Sequence, residues 1–144
     1  VVFRKKDEIE QGAEENSFDI QQKEAVFQMD GKRISCRVTA DNVEKNNTKR
    51  FNCDIISDNI CIRTRRQGDY ITIHPDGRTQ KLKSYFINEK IPQEERDRIL
   101  VVAEGSHIIW IVGYRTNPLY EVQMDTKRIL EIQINEGENY GREG

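Results

Sequence analysis

The sequence lacks a long apolar run, a paired set of cysteines and a leader segment. No run approaches the ~18 to 20 apolar residues of a membrane span, and no basic-then-apolar leader opens the chain. Cys36, Cys53 and Cys61 are odd in number, and their spacing matches neither a CxxC pair nor a zinc finger. These absences argue against a metal site or a disulfide framework. They predict a soluble domain with free thiols, located in the cytoplasm without a membrane partner.

Motifs for phosphate binding and for nucleophilic catalysis are also missing. Neither GxxxxGK[ST] nor GxGxxG occurs, so no known loop could cradle a triphosphate. His74 and His107 have no Cys or Ser arrangement near them. Glu94, Glu95 and Asp97 alternate with arginines, a pattern typical of ion pairs on a helix surface. We therefore expect no catalytic residue and no cofactor in this chain.

The length and composition indicate one compact domain with a highly charged surface. The chain has 144 residues, of which 33% are charged, and its mean hydropathy is -0.81. It begins Val-Val-Phe-Arg without an initiator Met, so we expect a piece of something longer. The apolar residues come in short runs up to about residue 135. We predict a single domain over residues 1–135 and a disordered tail over 136–144.

Strand-like runs dominate the first part of the chain. A charged stretch over residues 5–17 predicts a loop. The Asp-Gly pair inside AVFQMDGKRISCRV then predicts a hairpin with strands near 24–29 and 32–39. FNCDII and ICIRTR predict two further strands around an Asp58-Asn59 turn.

Helical periodicity occurs in the middle of the chain. In KLKSYFINEK, Leu82, Tyr85 and Phe86 recur at i, i+3 and i+4, which predicts a helix over about 81–89. Pro92 is followed by the acidic residues and then the arginines of QEERDRIL. This pattern predicts a second short helix over about 92–99.

The sheet resumes after these helices. HIIWIVG reads as a strand buried on both faces, with Trp110 in the core, and RILEIQI alternates with a period of two. The predicted fold class is therefore α+β: mostly β sheet or a partial barrel, with two short helices.

Cations are concentrated between Arg63 and Lys90. The formal net charge of the chain is -2, yet this segment carries seven cations against three acids. Arg63 and Arg65 would lie on one face of a strand, about 7 Å apart at ~3.3 Å per residue. This spacing matches that of neighbouring phosphates along one strand of a nucleic acid.

The same residues allow other interpretations. An edge strand can carry arginines that deter aggregation or pair with acids of the chain. Gly68 permits a positive φ in a turn, where Asp69 accepts backbone N–H groups or orients one of the neighbouring arginines. Tyr70 and Tyr85 could stack on an end base, although Tyr85 also fits the apolar face of the first helix. The residues alone leave these alternatives open.

Four runs together resemble a known family. RTRRQGDYI, QKLKSYFINEKIP, ERDRIL and IIWIVGYR occur in the order and at the spacing of the C-terminal domain of tRNA(Ile)-lysidine synthase. The resemblance covers about residues 60–132. One departure is that Val101 follows Leu100 where the family often has Pro, and it concerns the entry to a strand. Residues 1–55 match no motif.

The resemblance implies a role in RNA binding. Enzymes of this family use ATP to activate the wobble cytidine of an isoleucine tRNA with a CAU anticodon, and then attach lysine. Their adenylation domain is N-terminal and carries a Ser-Gly-Gly-x-Asp-Ser loop, which is absent here. ATP and Mg²⁺ are thus implied for the full-length enzyme, and this fragment is implied to hold the tRNA acceptor stem.

The basic residues are the expected RNA contacts, together with three residues that shape the site. The expected contacts are Arg63, Arg65, Arg66, Lys81, Lys83, Lys90 and Arg96, and the shaping residues are Gly68, Asp69 and Tyr70. The alternative is a protein-interaction or dimerisation module whose arginines pair with acids of a partner. A free-standing hydrolase is disfavoured, because the machinery of a nucleophile is missing.

Overall fold

The computed structural model describes residues 15–57 and 59–135, in two compact units. Unit 1 comprises Val1–Ser17 and Ile60–Leu119, and unit 2 comprises Phe18–Asn59 and Tyr120–Gly144. The predicted single domain over 1–135 stays a prediction. Residues 5–14 of the predicted loop, Asp58 of the predicted turn and the predicted tail lie outside the described residues. The loop prediction is wrong for its last three residues, which belong to the strand Glu15–Phe18.

The described residues form eleven strands and two α-helices, as the α+β prediction requires. The strands are β1 (Glu15–Phe18), β2 (Glu24–Met29), β3 (Lys32–Thr39), β4 (Lys49–Asn52), β5 (Ile60–Arg63), β6 (Tyr70–Thr72), β7 (Thr79–Lys81), β8 (Val101–Glu104), β9 (His107–Ile111), β10 (Arg115–Thr116) and β11 (Ile129–Asn135). The helices are α1 (Leu82–Asn88) and α2 (Gln93–Arg96). Within these residues the strands make two open sheets, neither of them closed into a barrel.

Unit 1 is built on the larger sheet. Its strand order is β1-β5-β8-β9-β6-β7, with β10 paired to β9. The β6–β9 pair is parallel, whereas the β8–β9 and β6–β7 pairs are antiparallel. The register aligns Tyr70 of β6 with Lys81 of β7 on one side and with His107 of β9 on the other. These three residues therefore form one row across the sheet.

Helix α1 packs its apolar stripe into the core of unit 1, as the periodicity predicts. Leu82, Tyr85 and Phe86 are buried in one cluster with Ile71 of β6 and Ile108 of β9. The interpretation of Tyr85 as a core residue is thereby confirmed. Removing each such side chain from water stabilises the fold by roughly 1.5 to 3 kcal/mol.

Helix α2 is shorter than its predicted range of 92–99. It ends at Arg96, and the backbone N–H of Arg98 donates to the carbonyl of Glu95 in a tight turn at 3.0 Å. The chain then buries Leu100 and enters β8 at Val101. Because Leu100 and Val101 are buried where the chain enters the sheet, the helix is limited to a single turn. Trp110 of β9 is buried, as predicted.

Unit 2 holds the smaller sheet, of order β2-β3-β11-β4. The predicted hairpin is confirmed with the same bounds, and Asp30 and Gly31 both have positive φ, 53° and 73°, as a type I′ turn requires. The predicted strand FNCDII is only partly formed. It continues as a turn of 3-10 helix over Cys53–Ile55, because the Asn52 side chain caps the N–H of Asp54.

The last strand of unit 2 has one apolar face and a second face that buries a carboxylate. Leu130 and Ile132 are buried on one side of β11. On the other side, the register places the buried Glu131 between Arg37 of β3 and Arg50 of β4. Lys45 Nζ lies 3.3 Å from a Glu131 carboxylate oxygen. Among the helices the structure describes, none is long and apolar enough to cross a membrane.

Candidate nucleic-acid interface

A buried ion pair lies at the base of the basic segment. The side chains of Arg63 and Asp69 are 3% and 1% exposed. Their contact is bidentate: Arg63 Nη1 donates to Asp69 Oδ2 and Nη2 donates to Oδ1, each at 2.9 Å. The guanidinium also donates to the carbonyls of Thr64 and Gly105. The pair is thus fully hydrogen-bonded, which offsets the cost of burying two charges.

This ion pair also fixes the turn between β5 and β6. Asp69 Oδ2 accepts the backbone N–H of Arg66 at 2.8 Å, and the Asp69 N–H donates to the Arg66 carbonyl at 3.2 Å. Gly68 has a φ of +92°, a conformation that residues with a side chain rarely adopt. Asp69 has both of the roles considered for it, since it accepts a backbone N–H group of the turn and also orients Arg63. The turn projects Arg65 and Arg66 away from the buried pair.

Both projecting arginines are engaged by acids of the same chain. The Arg65 guanidinium lies 5.6 Å from the centre of the Phe86 ring and pairs with Asp97 at 3.0 Å. Arg66 is exposed and pairs with Glu15. Arg65 therefore connects the turn to α1 and to the end of α2. The exposed Arg66–Glu15 pair contributes little to stability, whereas Arg65 is half-buried.

Three lysines complete the basic segment. Lys81 ends β7, Lys83 lies in the first turn of α1 and Lys90 follows its last turn, and all three side chains are exposed. Within residues 15–57 and 59–135 none of the three forms an ion pair. Arg96 is half-buried, and its Nε donates to the Ile91 carbonyl at 2.7 Å. Among the seven predicted RNA contacts, the three lysines are thus the cations most available to an external anion.

Lys90 has a backbone conformation that is rare for a residue with a side chain. Its φ is 57°, in the left-handed region. The Ile91 N–H donates to the Phe86 carbonyl and the Lys90 N–H to the Ile87 carbonyl, which is the Schellman pattern that ends a helix. Glycine is the usual residue at this position. The side chain is therefore held outward at a cost in backbone strain.

Tyr70 stacks on His107 at the edge of the basic segment. The ring centres are 4.7 Å apart and the ring planes differ by 13°. His107 Nε2 lies 2.8 Å from Thr72 Oγ1 and 3.0 Å from Asn117 Nδ2. Asn117 Oδ1 accepts the Leu119 N–H, so its amide nitrogen is the group facing His107. His107 Nε2 must then accept both hydrogen bonds, and the ring proton belongs on Nδ1.

Burial also affects the titration of this histidine. Desolvation lowers the pKa of His107 below its usual value, opposed in part by the charge of Glu104. The hydrogen bonds donated to Nε2 favour the same neutral form. The sequence did not indicate that His107 and Asn117 support Tyr70, because their contacts join β6, β9 and the residues after β10.

The structure brings most of the predicted contact residues to one region of unit 1, in different environments. Lys81, Lys83 and Lys90 are exposed, whereas Arg63 is buried beneath the turn. The alternative in which Asp69 orients Arg63 describes the observed geometry. Whether any of these residues contacts RNA stays a prediction. Among the described residues, no three His, Cys, Asp or Glu side chains are placed to hold a metal ion.

Comparison with known proteins addresses the family. A family model described as the TilS substrate C-terminal domain matches residues 60–134, which includes the basic segment and both helices. The chain belongs to this family. The resemblance found in the four sequence runs is thereby confirmed. A crystal structure of a TilS C-terminal domain superimposes with a TM-score of 0.67 at 26% identity, covering 85% of this chain and 97% of that one.

Sequence relatives of this TilS C-terminal domain are named tRNA(Ile)-lysidine synthase. The protein of Caldanaerobacter subterraneus subsp. tengcongensis is 42% identical over 85 residues, 59% of this chain and 18% of that protein. That of Clostridium tetani is 42% identical over 90 residues, 62% of this chain and 19% of that protein. That of Clostridium acetobutylicum is 38% identical over 92 residues, 64% and 20% respectively. The chain thus spans about a fifth of the length of these relatives.

Proposed function

We propose that this chain is the tRNA-binding C-terminal domain of a tRNA(Ile)-lysidine synthase and that it holds the acceptor stem. Three exposed lysines without ion pairs among the described residues, beside a turn fixed by a buried ion pair, carry this proposal. The names of the relatives supply the substrate class.

Exposed lysines along a surface are suited to binding an RNA stem. The deep major groove of A-form RNA hides the base edges, so proteins contact phosphates and 2′-hydroxyls and recognise shape. Lys81, Lys83 and Lys90 follow the surface from the end of β7 along α1. Lysines make point-charge contacts with phosphates, which tolerate small differences in backbone path.

Catalysis is proposed to reside in the part of the enzyme that this chain does not match. ATP and Mg²⁺ would serve an N-terminal catalytic domain of the same polypeptide, and the present domain would contribute binding alone. A cytoplasmic location is part of the proposal, and the free thiols of Cys36, Cys53 and Cys61 are consistent with it.

The salt dependence of tRNA binding tests the proposal. If the three lysines meet phosphates, the logarithm of the binding constant should fall against the logarithm of salt concentration with a slope of about -2 to -3, at ~0.7 to 0.9 per contact. Lys81→Ala with Lys83→Ala should weaken binding and flatten the slope by about two contacts. Fluorescence anisotropy with an isoleucine tRNA carrying a CAU anticodon measures both quantities.

A matched pair outside the segment provides the control. Lys49→Ala with Lys127→Ala removes the same charge from exposed positions of unit 2. If both double variants lose the same affinity, the attraction is only that of diffuse charge, and the proposal that these lysines contact phosphates is wrong. A minihelix of the acceptor stem should bind as the whole tRNA does, whereas an anticodon stem-loop should bind weakly. The reverse preference would reject the assignment to the acceptor stem.

The protein-interaction alternative depends on arginines that are free to pair with a partner. Here Arg63, Arg65 and Arg66 are each paired with an acid of this chain, and the Arg63 pair is buried. This pairing weakens the alternative, because that alternative assigned the acids of a partner to these arginines.

A further inference from the structure

A row of side chains crosses the unit 1 sheet on the face opposite to the one against which α1 packs. Lys81, Tyr70 and His107 are register partners on β7, β6 and β9, so their side chains leave the same face of the sheet. The rings of Tyr70 and His107 are stacked. The stack runs across the strands from β9 to β6. The second face of the Tyr70 ring is therefore turned along the row towards Lys81.

The tyrosine ring is held in place before any ligand arrives. Its stacking partner His107 is fixed through Nε2 by Thr72 and Asn117. The backbone N–H of Tyr70 donates to the Ser106 carbonyl at 3.0 Å. An aromatic ring that is already oriented loses little conformational entropy on binding, so more of the stacking energy appears as affinity.

The surroundings of the ring favour a base attached to a phosphate. Tyr70 and His107 are half-buried and lie outside the apolar core cluster of α1 and the sheet. On the side away from His107 the neighbour in the row is the exposed Lys81. Glu104 of β8 is the register partner of His107 and extends the row on the far side of the stack. A π face next to a cation is the combination that single-stranded nucleic acid sites use.

We propose that Tyr70, supported by His107 and flanked by Lys81, stacks on one unpaired base at the single-stranded end of an RNA stem. The inference rests on the proposed tRNA-binding function, and it adds base stacking to the proposed contacts between lysines and phosphates. The lysines hold the duplex backbone, and the ring holds the first base that is free of pairing. His107 acts as a positioning residue for the ring.

Two RNA hairpins separate the two contacts: one blunt, the other with a short single-stranded 3′ extension. Anisotropy titrations with the whole chain should show tighter binding of the extended hairpin. Tyr70→Ala should remove that gain, about 5- to 150-fold, since base–aromatic stacking contributes ~1 to 3 kcal/mol. Tyr70→Phe keeps the ring and should retain the gain. The blunt hairpin should bind all three proteins alike.

A spectroscopic signal reports the stacking itself. 2-Aminopurine in the extension should be quenched on binding to the wild-type and Tyr70→Phe proteins, and should stay bright with Tyr70→Ala. If circular dichroism shows that Tyr70→Ala unfolds, Tyr70→Leu replaces it, because leucine fills the space without a π face.

The remaining outcomes decide against the inference in distinguishable ways. Equal, salt-dependent binding of both hairpins to the wild type overturns the stacking site and leaves the proposed function intact. If Tyr70→Ala loses the same affinity for both hairpins, the ring supports the fold or the contacts to the RNA backbone. That result also overturns the stacking site. If neither hairpin binds, the proposed function and the stacking site fail together.

Discussion

At the scale of single residues, one carboxylate organises the basic turn. Asp69 accepts two hydrogen bonds from the Arg63 guanidinium and one from the Arg66 backbone. Arg63, the last residue of β5, thereby stabilises the turn, whereas the side chains of Arg65 and Arg66 leave the buried pair. The motif Arg-x-Arg-x-x-Gly-Asp thus combines an internal ion pair with an external display of charge.

Asp69→Ala should lower the free energy of unfolding by about 3 to 5 kcal/mol, because it leaves the Arg63 charge buried without its partner. Urea denaturation measures the change. The control is Asp76→Ala, which removes the partner of Arg78 from an exposed pair and should cost about 1 kcal/mol or less. Equal effects of the two substitutions would contradict a structural role for the buried pair.

His107 should make stability depend on pH. Its folded pKa lies below the unfolded value of about 6.5, so the unfolded chain binds the proton more readily. The stability due to neutral His107 is complete above pH ~6.5 and is lost as the pH falls through the folded pKa. In His107→Gln the amide oxygen can accept the same two hydrogen bonds and does not titrate. Urea midpoints from pH 7 to 5 should fall more steeply for the wild type than for this variant.

At the scale of elements, the end of α1 places a charged residue in a strained backbone conformation. Lys90 occupies the left-handed position of the Schellman turn, where glycine avoids a penalty of roughly 1 kcal/mol. A residue that strains the backbone while presenting a charge is expected where the charge is needed.

Lys90→Gly should therefore raise the free energy of unfolding by about 1 kcal/mol and weaken tRNA binding by one phosphate contact. Lys90→Ala separates the two effects, since it removes the charge and keeps the side-chain strain. It should lose the same affinity without the gain in stability. Thermal melts and salt titrations of both variants give the comparison. Unchanged affinity in both would remove Lys90 from the interface.

The elements also show how far sequence reasoning reaches. The Asp30-Gly31 hairpin and the stripe of α1 were predictable, because their signals lie within a few residues. Strand β7 was missed, since Thr-Gln-Lys has no apolar alternation and its pairing with β6 creates the strand. The burial of Arg63 was unpredictable for a related reason. Alternation assigns side chains to faces, but the chain that covers a face comes from distant residues such as Gly105.

At the scale of the whole molecule, the chain is expected to bind RNA without activating it. With ATP, lysine and tRNA present, the purified chain should release no pyrophosphate, because no known triphosphate loop occurs in its sequence. A coupled phosphate assay checks this, with a full-length lysidine synthase as the positive control. Release above background in preparations free of that enzyme would assign chemistry to this domain.

The strand order of unit 2 has a consequence for synthesis on the ribosome. β11 pairs with both β3 and β4, yet every residue from Cys53 to Arg128 is translated between β4 and β11. At ~5 to 20 residues per second, this interval lasts on the order of 4 to 15 seconds. Throughout it, β3 and β4 each present an unpaired edge to which a neighbouring nascent chain can add. Both edges are covered only when β11 has been synthesised and has paired between β3 and β4. The small sheet therefore completes its folding late, after its last strand is translated, and not progressively from its N-terminal end.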